Sequence, residues 1–389
     1  MPIADKMVKI VESASMIRKM FEEGIRMKEK YGADNVYDFS LGNPDVPPPL
    51  AVKETLVSLL NDPACSHGYM PNAGYPHVRK ALADYLNKEF NVGLNPELIV
   101  MTAGAAGALN DILRALINPG EDIMVPAPYF VGYNQYAFVA GANLKTVASN
   151  PDFHLNLAAI EQAITANTRV VLINSPNNPT GVVYNKEELM GLGKVLDAAS
   201  KKFGKRIYLI SDEPYRKIAY GVPVPSVFDV YPHTIVLTSY SKELSLAGER
   251  IGYLAIHPDA EDAEIIAGAA GVANTMMYVN APSLFQQVVG KIQGVSVDIE
   301  IYKKRRDILS QGLLDAGYEL DIPEGAFYLF PKSPIEDDVK FVKILQENRI
   351  LAVPGSGFGG PGYFRLSYAV PDKTIADSIT YFKSAINSV

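Results

Sequence analysis

Short runs of β-branched and apolar residues recur through the middle of the chain, over residues 99–102, 122–125, 144–148, 170–173, 207–210, 235–238 and 252–256. Helical patterns separate them. A strand buried on both faces loses the alternation of polar and apolar positions, so these runs predict a mostly parallel sheet covered by helices on both sides. Such a sheet delivers its functional groups at the C-terminal ends of its strands.

A chain of 389 residues exceeds the usual size of one core. The expected fold class is α/β: a three-layer α/β/α large domain over residues 48–290, and a smaller α/β domain made of 1–47 with 291–389. Residues 301–316 read as a long charged helix, 317–330 and 352–369 hold strand-like pieces, and a closing helix starts at Lys373. Near the beginning, Val8, Val11, Met16, Met20, Ile25 and Met27 recur close to helical spacing and predict one or two amphipathic helices before a short strand over 37–41. Pro47, Pro48 and Pro49 exclude helix from residues 42–49, which read as a linker or a loop over a site.

Composition excludes several function classes. The formal charge of -7, with no Lys/Arg-rich block, argues against nucleic acid or an anionic membrane as partner and for a small molecule. Cys65 is the single cysteine, so neither an internal disulfide nor a cysteine-ligated metal site is expected. No signal-like apolar core and no run of about eighteen apolar residues occurs, and the expected location is the cytoplasm.

Lys242 lies just past the run 235–238, in Thr238-Ser239-Tyr240-Ser241-Lys242, and Arg250 follows eight residues later. A lone lysine is ordinarily a solvated charge. Here Ser239 and Ser241 add hydroxyl donors and Arg250 adds a guanidinium fork, the donor set that suits a phosphate. A lysine beside such a cradle is a candidate for covalent catalysis. Residues 210–216, Ile-Ser-Asp-Glu-Pro-Tyr-Arg, and 174–181, Asn-Ser-Pro-Asn-Asn-Pro-Thr-Gly, each follow another run and read as polar turns. Thr102 to Leu109 is a small-residue turn into a helix, whose amide groups and positive dipole end suit an anion. Pro126-Ala127-Pro128-Tyr129-Phe130 offers aromatic rings, and Phe364-Arg365-Leu366-Ser367 reads as a strand with an arginine on one face.

In this order, from about residue 38 to 369, the segments resemble the class I/II aminotransferases of the pyridoxal-phosphate-dependent fold-type I (aspartate aminotransferase-like) family, whose signature is a serine-rich turn, a Schiff-base lysine and Gly-x-Arg-x-Gly. The resemblance implies that Lys242 carries pyridoxal 5'-phosphate and serves as nucleophile and general base. It implies that Ser239 and Arg250 bind the phosphate with help from Ser241, while Gly104, Ala105 and Ala106 present backbone N–H groups to it. Asp212 then meets the ring nitrogen and Tyr215 and Asn178 meet the 3'-oxygen. Phe130 stacks on the ring, with Tyr129 as the alternative. The substrate carboxylate falls to Arg365, Asn178 and the amide of Gly42. Tyr69 matches a residue that reaches the phosphate of a neighbouring subunit, which implies a homodimer with active sites at the interface. A carboxylate about 4 Å from the ring nitrogen favours its protonation by several kcal/mol at an effective dielectric near about 20, and the protonated ring is the electron sink the reaction needs.

The implied reaction moves an amino group between an L-amino acid and a 2-oxo acid in two half-reactions. Aspartate is the first donor expected, with neutral or aromatic amino acids next. Ala106 stands where one aspartate-using subgroup has a lysine, and Glu249 stands where a tryptophan is common before the arginine. A carbon-sulfur β-lyase of the same fold uses the same lysine, aspartate and arginine and is the alternative. A cofactor-sensing regulator needs a DNA-binding module, for which the stretch before Tyr37 leaves little room.

Overall fold

The computed structural model describes residues 7–8 and 16–389, with side chains from residue 23 onward in the second stretch. A helix covers Met16–Tyr31. Val11 and the side chains of Met16 and Met20 lie outside the described residues. Met27 packs with Val36 and Leu351 as the helical spacing requires, but Ile25 is 47% exposed and does not join that face.

In chain order the strands are β1 (Tyr37–Asp38), β2 (Ile99–Thr102), β3 (Asp122–Ala127), β4 (Asn143–Ala148), β5 (Thr168–Asn174), β6 (Tyr208–Asp212), β7 (Thr234–Ser239), β8 (Gly252–Ile256), β9 (Tyr328–Leu329), β10 (Ile350–Leu351), β11 (Val353–Pro354) and β12 (Phe364–Ser367). The chain divides into two compact units, one of Pro44–Glu300 with Glu324–Ala326, the other of the residues up to Asn43 with Ile301–Pro323 and Phe327–Val389.

The first unit is built on a seven-stranded sheet of order β2-β8-β7-β6-β5-β3-β4. Strands β6, β7 and β8 are buried throughout, which is why their sequences run apolar without alternation. β4, at the edge, keeps mostly exposed positions. The pairs from β4 through β7 are parallel. β8 runs antiparallel to both β2 and β7, so its first residue, Gly252, stands opposite Thr102 and Ser239, the last residues of those strands. That reversal brings the segment just before β8, with Arg250, to the edge where β2, β5, β6 and β7 end. A side chain at 252 would meet the Thr238 carbonyl at 2.4 Å and the Gly104 backbone at 2.9 Å, so the close approach of the two turns requires glycine.

In the second unit β1 pairs with β10 in parallel, and β11, β12 and β9 form an antiparallel sheet. The helices Asp338–Glu347 and Asp372–Ile386 pack there around Tyr318, Phe341, Phe364 and Phe382, whose rings meet at 5.4–6.0 Å. Among the described residues no helix is long and apolar enough to cross a membrane.

Candidate active site

The C-terminal ends of β5, β6 and β7 bring together groups that the chain separates widely. Asp212 ends β6, is 5% exposed, and pairs in register with Asn174, the last residue of β5. The Asn174 side chain donates to the Asp212 carbonyl at 2.7 Å and accepts from the Asn178 amide at 2.7 Å, so one side chain ties the 174–181 turn to β6. The Asp212 carboxylate accepts a 2.7 Å hydrogen bond from the Tyr133 hydroxyl on Oδ2, while Oδ1 is buried without a partner. Burial pushes this carboxyl up to about 7, with the nearby Glu213 charge adding to the rise and the Tyr133 hydrogen bond opposing it. Burial and the Asp212 charge in turn hold the Tyr133 hydroxyl well above its ordinary range. A buried carboxylate with one oxygen orphaned suits a cationic N–H, which would satisfy the oxygen and return the carboxyl to its anionic form.

The next turn is braced against β7. The Glu213 amide donates to the Leu237 carbonyl at 2.8 Å, Thr238 Oγ1 to the Glu213 carbonyl at 2.9 Å, and Arg216 pairs with the Glu213 carboxylate at 3.0 Å. Tyr215, buried in that turn, is thereby fixed relative to Asp212.

Lys242 sits on the one-turn helix Tyr240–Glu243 that directly follows β7. Ser239 caps this turn, its Oγ accepting from the Ser241 amide at 3.1 Å and lying 2.5 Å from Ser241 Oγ. Close by, the helix Gly104–Leu116 begins with no side-chain cap at Ala103, which leaves its first amide groups available. Gly104 has φ +72, and a Cβ there would lie 2.9 Å from Arg250 Nη2. The exposed Arg250 guanidinium donates to the Ala247 carbonyl at 3.0 Å and to the Ala103 carbonyl at 3.3 Å. Open amides, two hydroxyls and a guanidinium within one turn of each other fit a phosphate dianion.

Phe130 lies edge-on to Tyr133 at 5.5 Å, and a Cβ on Gly132 would stand 2.4 Å from its ring. Tyr129 instead exchanges hydrogen bonds with Asn134 at 3.0 and 3.3 Å. Tyr129 also stacks on Tyr133, with ring centroids 6.4 Å apart, so both aromatic choices lie against the ring whose hydroxyl bonds Asp212. Tyr133 itself was not expected from the sequence. Its only signal is a position three residues beyond Phe130, at the start of the helix Tyr133–Ala140.

The second unit holds its own anion-suited group. Arg365 on β12 is 4% exposed, donates to the Ser40 carbonyl at 2.8 Å, and lies over the rings of Tyr328 and Phe358, 4.6 Å from each centre. Gly42 is where a side chain cannot be: a Cβ there would overlap the Tyr328 hydroxyl. Tyr69, in the first unit, is 92% exposed.

The profile of the family described as aminotransferase class I and II matches residues 34–381. A probable aspartate/prephenate aminotransferase of Aquifex aeolicus is 32% identical, over 91% of this chain and 92% of that protein. An aspartate aminotransferase of Thermotoga maritima is 31% identical, over 91% of this chain and 92% of its own length. The crystal structure of an amino transferase from Eubacterium rectale superposes with a TM-score of 0.96 at 39% identity, covering 100% of this chain and 99% of that one.

Proposed function

The chain belongs to the class I and II aminotransferase family, and we propose that it binds pyridoxal 5'-phosphate at the strand ends of the Pro44–Glu300 unit and transfers an amino group between an L-amino acid and a 2-oxo acid, with Lys242 as its catalytic residue. The observation that carries the reading is the orphaned Oδ1 of Asp212, buried at the end of β6 beside the strand that leads into Lys242. When bound, the cofactor supplies the electron sink that lets a proton leave the substrate Cα.

The chain's own groups do the rest. Lys242 Nζ would hold the cofactor covalently between turnovers and, when free, would take up and return the Cα proton. Asp212 would hold the ring nitrogen in its protonated form, with Tyr133 fixing the carboxylate through Oδ2 and leaving Oδ1 for that contact. Tyr215 and Asn178 donate to the 3'-oxygen, and Phe130 covers one ring face. Ser239, Ser241, Arg250 and the amides of Gly104, Ala105 and Ala106 bind the phosphate. Arg365 takes the substrate carboxylate, since its fork matches two coplanar oxygens, with Asn178 and Gly42 assisting.

A second copy of the chain completes the site. Tyr69 is 92% exposed, which leaves its hydroxyl accessible to the phosphate site of a second copy. Along the helix Ala263–Tyr278, Ile265, Val272 and Met276 are 70%, 53% and 74% exposed, an apolar face that a homodimer would cover. Aspartate is the first donor in this reading, in keeping with the names of the relatives, and a reducing cytoplasmic setting suits the lone Cys65.

The test is the absorbance of cofactor-loaded protein through a panel of amino acids, with Lys242→Ala alongside. A spectrum that changes with a donor and returns on adding a 2-oxo acid supports transamination and identifies the donor. Release of pyruvate and ammonia without an acceptor indicates the β-lyase. An unaltered spectrum in Lys242→Ala would sink the assignment of that residue.

A further inference from the structure

The helix Gly104–Leu116 carries a second buried carboxylate for which the reading above has no use. Asp111 is fully buried; its Oδ2 accepts from the Tyr278 hydroxyl at 2.7 Å and its Oδ1 has no partner. Tyr278 ends the helix Ala263–Tyr278, and its ring reaches Asp111 because residue 107 is glycine: a Cβ there would stand 2.4 Å from the hydroxyl. The same Cβ position lies 3.3 Å from Ala103 Cβ, so the hydroxyl sits beside the first turn of the helix, and the Ala103 carbonyl accepts from Arg250 at 3.3 Å. Tyr278 therefore packs against the turn whose Ala103 carbonyl Arg250 holds.

The chemistry of the pair fixes its direction. A tyrosyl hydroxyl has one proton, and a carboxylate only accepts. In its ionised form Asp111 therefore accepts the Tyr278 O–H at Oδ2 and anchors the hydroxyl beside the first helical turn. Burial raises the Asp111 carboxyl to about 7 against the Tyr278 hydrogen bond and the Arg114 charge, so the group weakens the fold that contains it. The backbone beyond Tyr278 is also constrained: Val279 has φ +72 and ψ -64, with the Asn280 amide bonded to the Tyr278 carbonyl at 2.9 Å, a tight three-residue turn that is strained for a β-branched residue.

We propose that Asp111 and Tyr278 form a positioning pair for phosphate recognition, in which Asp111 anchors the Tyr278 hydroxyl on the face opened by Gly107 and the Tyr278 side chain so packed holds the first helical turn, with Gly104 and Arg250, in place for the phosphate of the cofactor. Neither residue touches the phosphate. The inference rests on the reading of this turn as the phosphate site.

The experiment compares pyridoxal 5'-phosphate with pyridoxal, which lacks the phosphate, on full-length protein freed of cofactor and titrated back. Wild type, Tyr278→Phe, Asp111→Leu and the double variant are measured by equilibrium dialysis and by thermal melting without ligand. Each single variant loses roughly tenfold in affinity for pyridoxal 5'-phosphate, the effect of one hydrogen bond, and keeps its affinity for pyridoxal. The double variant loses no more than either single, because the two act as a unit. Asp111→Leu melts no lower than wild type, since a desolvated carboxylate has gone, which separates positioning from a structural role should Tyr278→Phe fold poorly. Variants that weaken both ligands alike, or that keep the full preference for the phosphorylated form, overturn the proposal. A wild type with no such preference overturns the reading of the turn and the proposal together, and is recognised because it appears before any substitution.

Discussion

The Tyr133 hydroxyl donates a 2.7 Å hydrogen bond to Oδ2 of Asp212 across 79 residues of sequence, and in doing so it turns the other carboxylate oxygen, Oδ1, into a buried acceptor with nothing to accept from. An oxygen in that state costs stability and gains a use only when a donor arrives.

Replacing Tyr133 by phenylalanine keeps the ring against Phe130 and removes only the donor. The carboxylate then rotates and loses part of its hold on the ring nitrogen. The expected result is a fall in kcat of about tenfold, the size of one hydrogen bond to a charged group, with KM for the donor changed less. Steady-state kinetics with one donor and acceptor pair decide it, and unchanged kcat would remove Tyr133 from the site.

Asp212 predicts a pH signature in the protein without cofactor. Its folded value of about 7 lies above the ordinary carboxylate value of about 3.9, so below pH ~4 both states carry the proton and the group is neutral to stability. As pH rises to ~7 the unfolded chain ionises first and the folded state loses stability; above that the penalty is complete. Asp212→Asn is therefore equal to wild type near pH 4 and more stable by on the order of 2–4 kcal/mol near pH 8. Melting temperatures across that range test this, and an offset independent of pH would contradict it.

Much of this was legible from the chain. Asp212 and Lys242 follow β-branched runs, and parallel strands present their last residues at one edge; Lys242 stood out by its neighbours Ser239, Ser241 and Arg250, and Asp212 only through the family resemblance. The direction of β8 was not legible, because a fully buried strand is apolar in either direction, yet that reversal is what carries Arg250 to Gly104. Ile25 matched a helical spacing and is exposed, since period identifies a face without stating whether anything covers it. Tyr133 with Asp212, and Tyr278 with Asp111, are pairs 79 and 167 residues apart whose members look like ordinary core aromatics and a stray acid until the fold joins them.

Gly104 combines two constraints. Its φ of +72 suits glycine, and a Cβ would meet the Arg250 guanidinium at 2.9 Å. Gly104→Ala should lower stability by about 1–2 kcal/mol through backbone strain and should also displace Arg250. The second effect appears as faster loss of cofactor during dialysis at a temperature where the variant remains folded. Normal retention would mean that Arg250 gives way without consequence for the phosphate.

Arg365 tests the carboxylate assignment most directly. Its guanidinium carbon lies 4.6 Å from the Tyr328 and the Phe358 ring centres and the group is anchored on the Ser40 carbonyl, so the fork is held before any substrate arrives. Lysine keeps the charge but has neither the plane nor two parallel donors. Arg365→Lys should raise KM roughly tenfold or more, equally for the amino acid and for the 2-oxo acid, because both present the same α-carboxylate. Single-turnover kinetics for the two half-reactions separate the cases. A rise confined to a dicarboxylic donor would instead place Arg365 on the distal carboxylate and move the α-carboxylate contact to another residue.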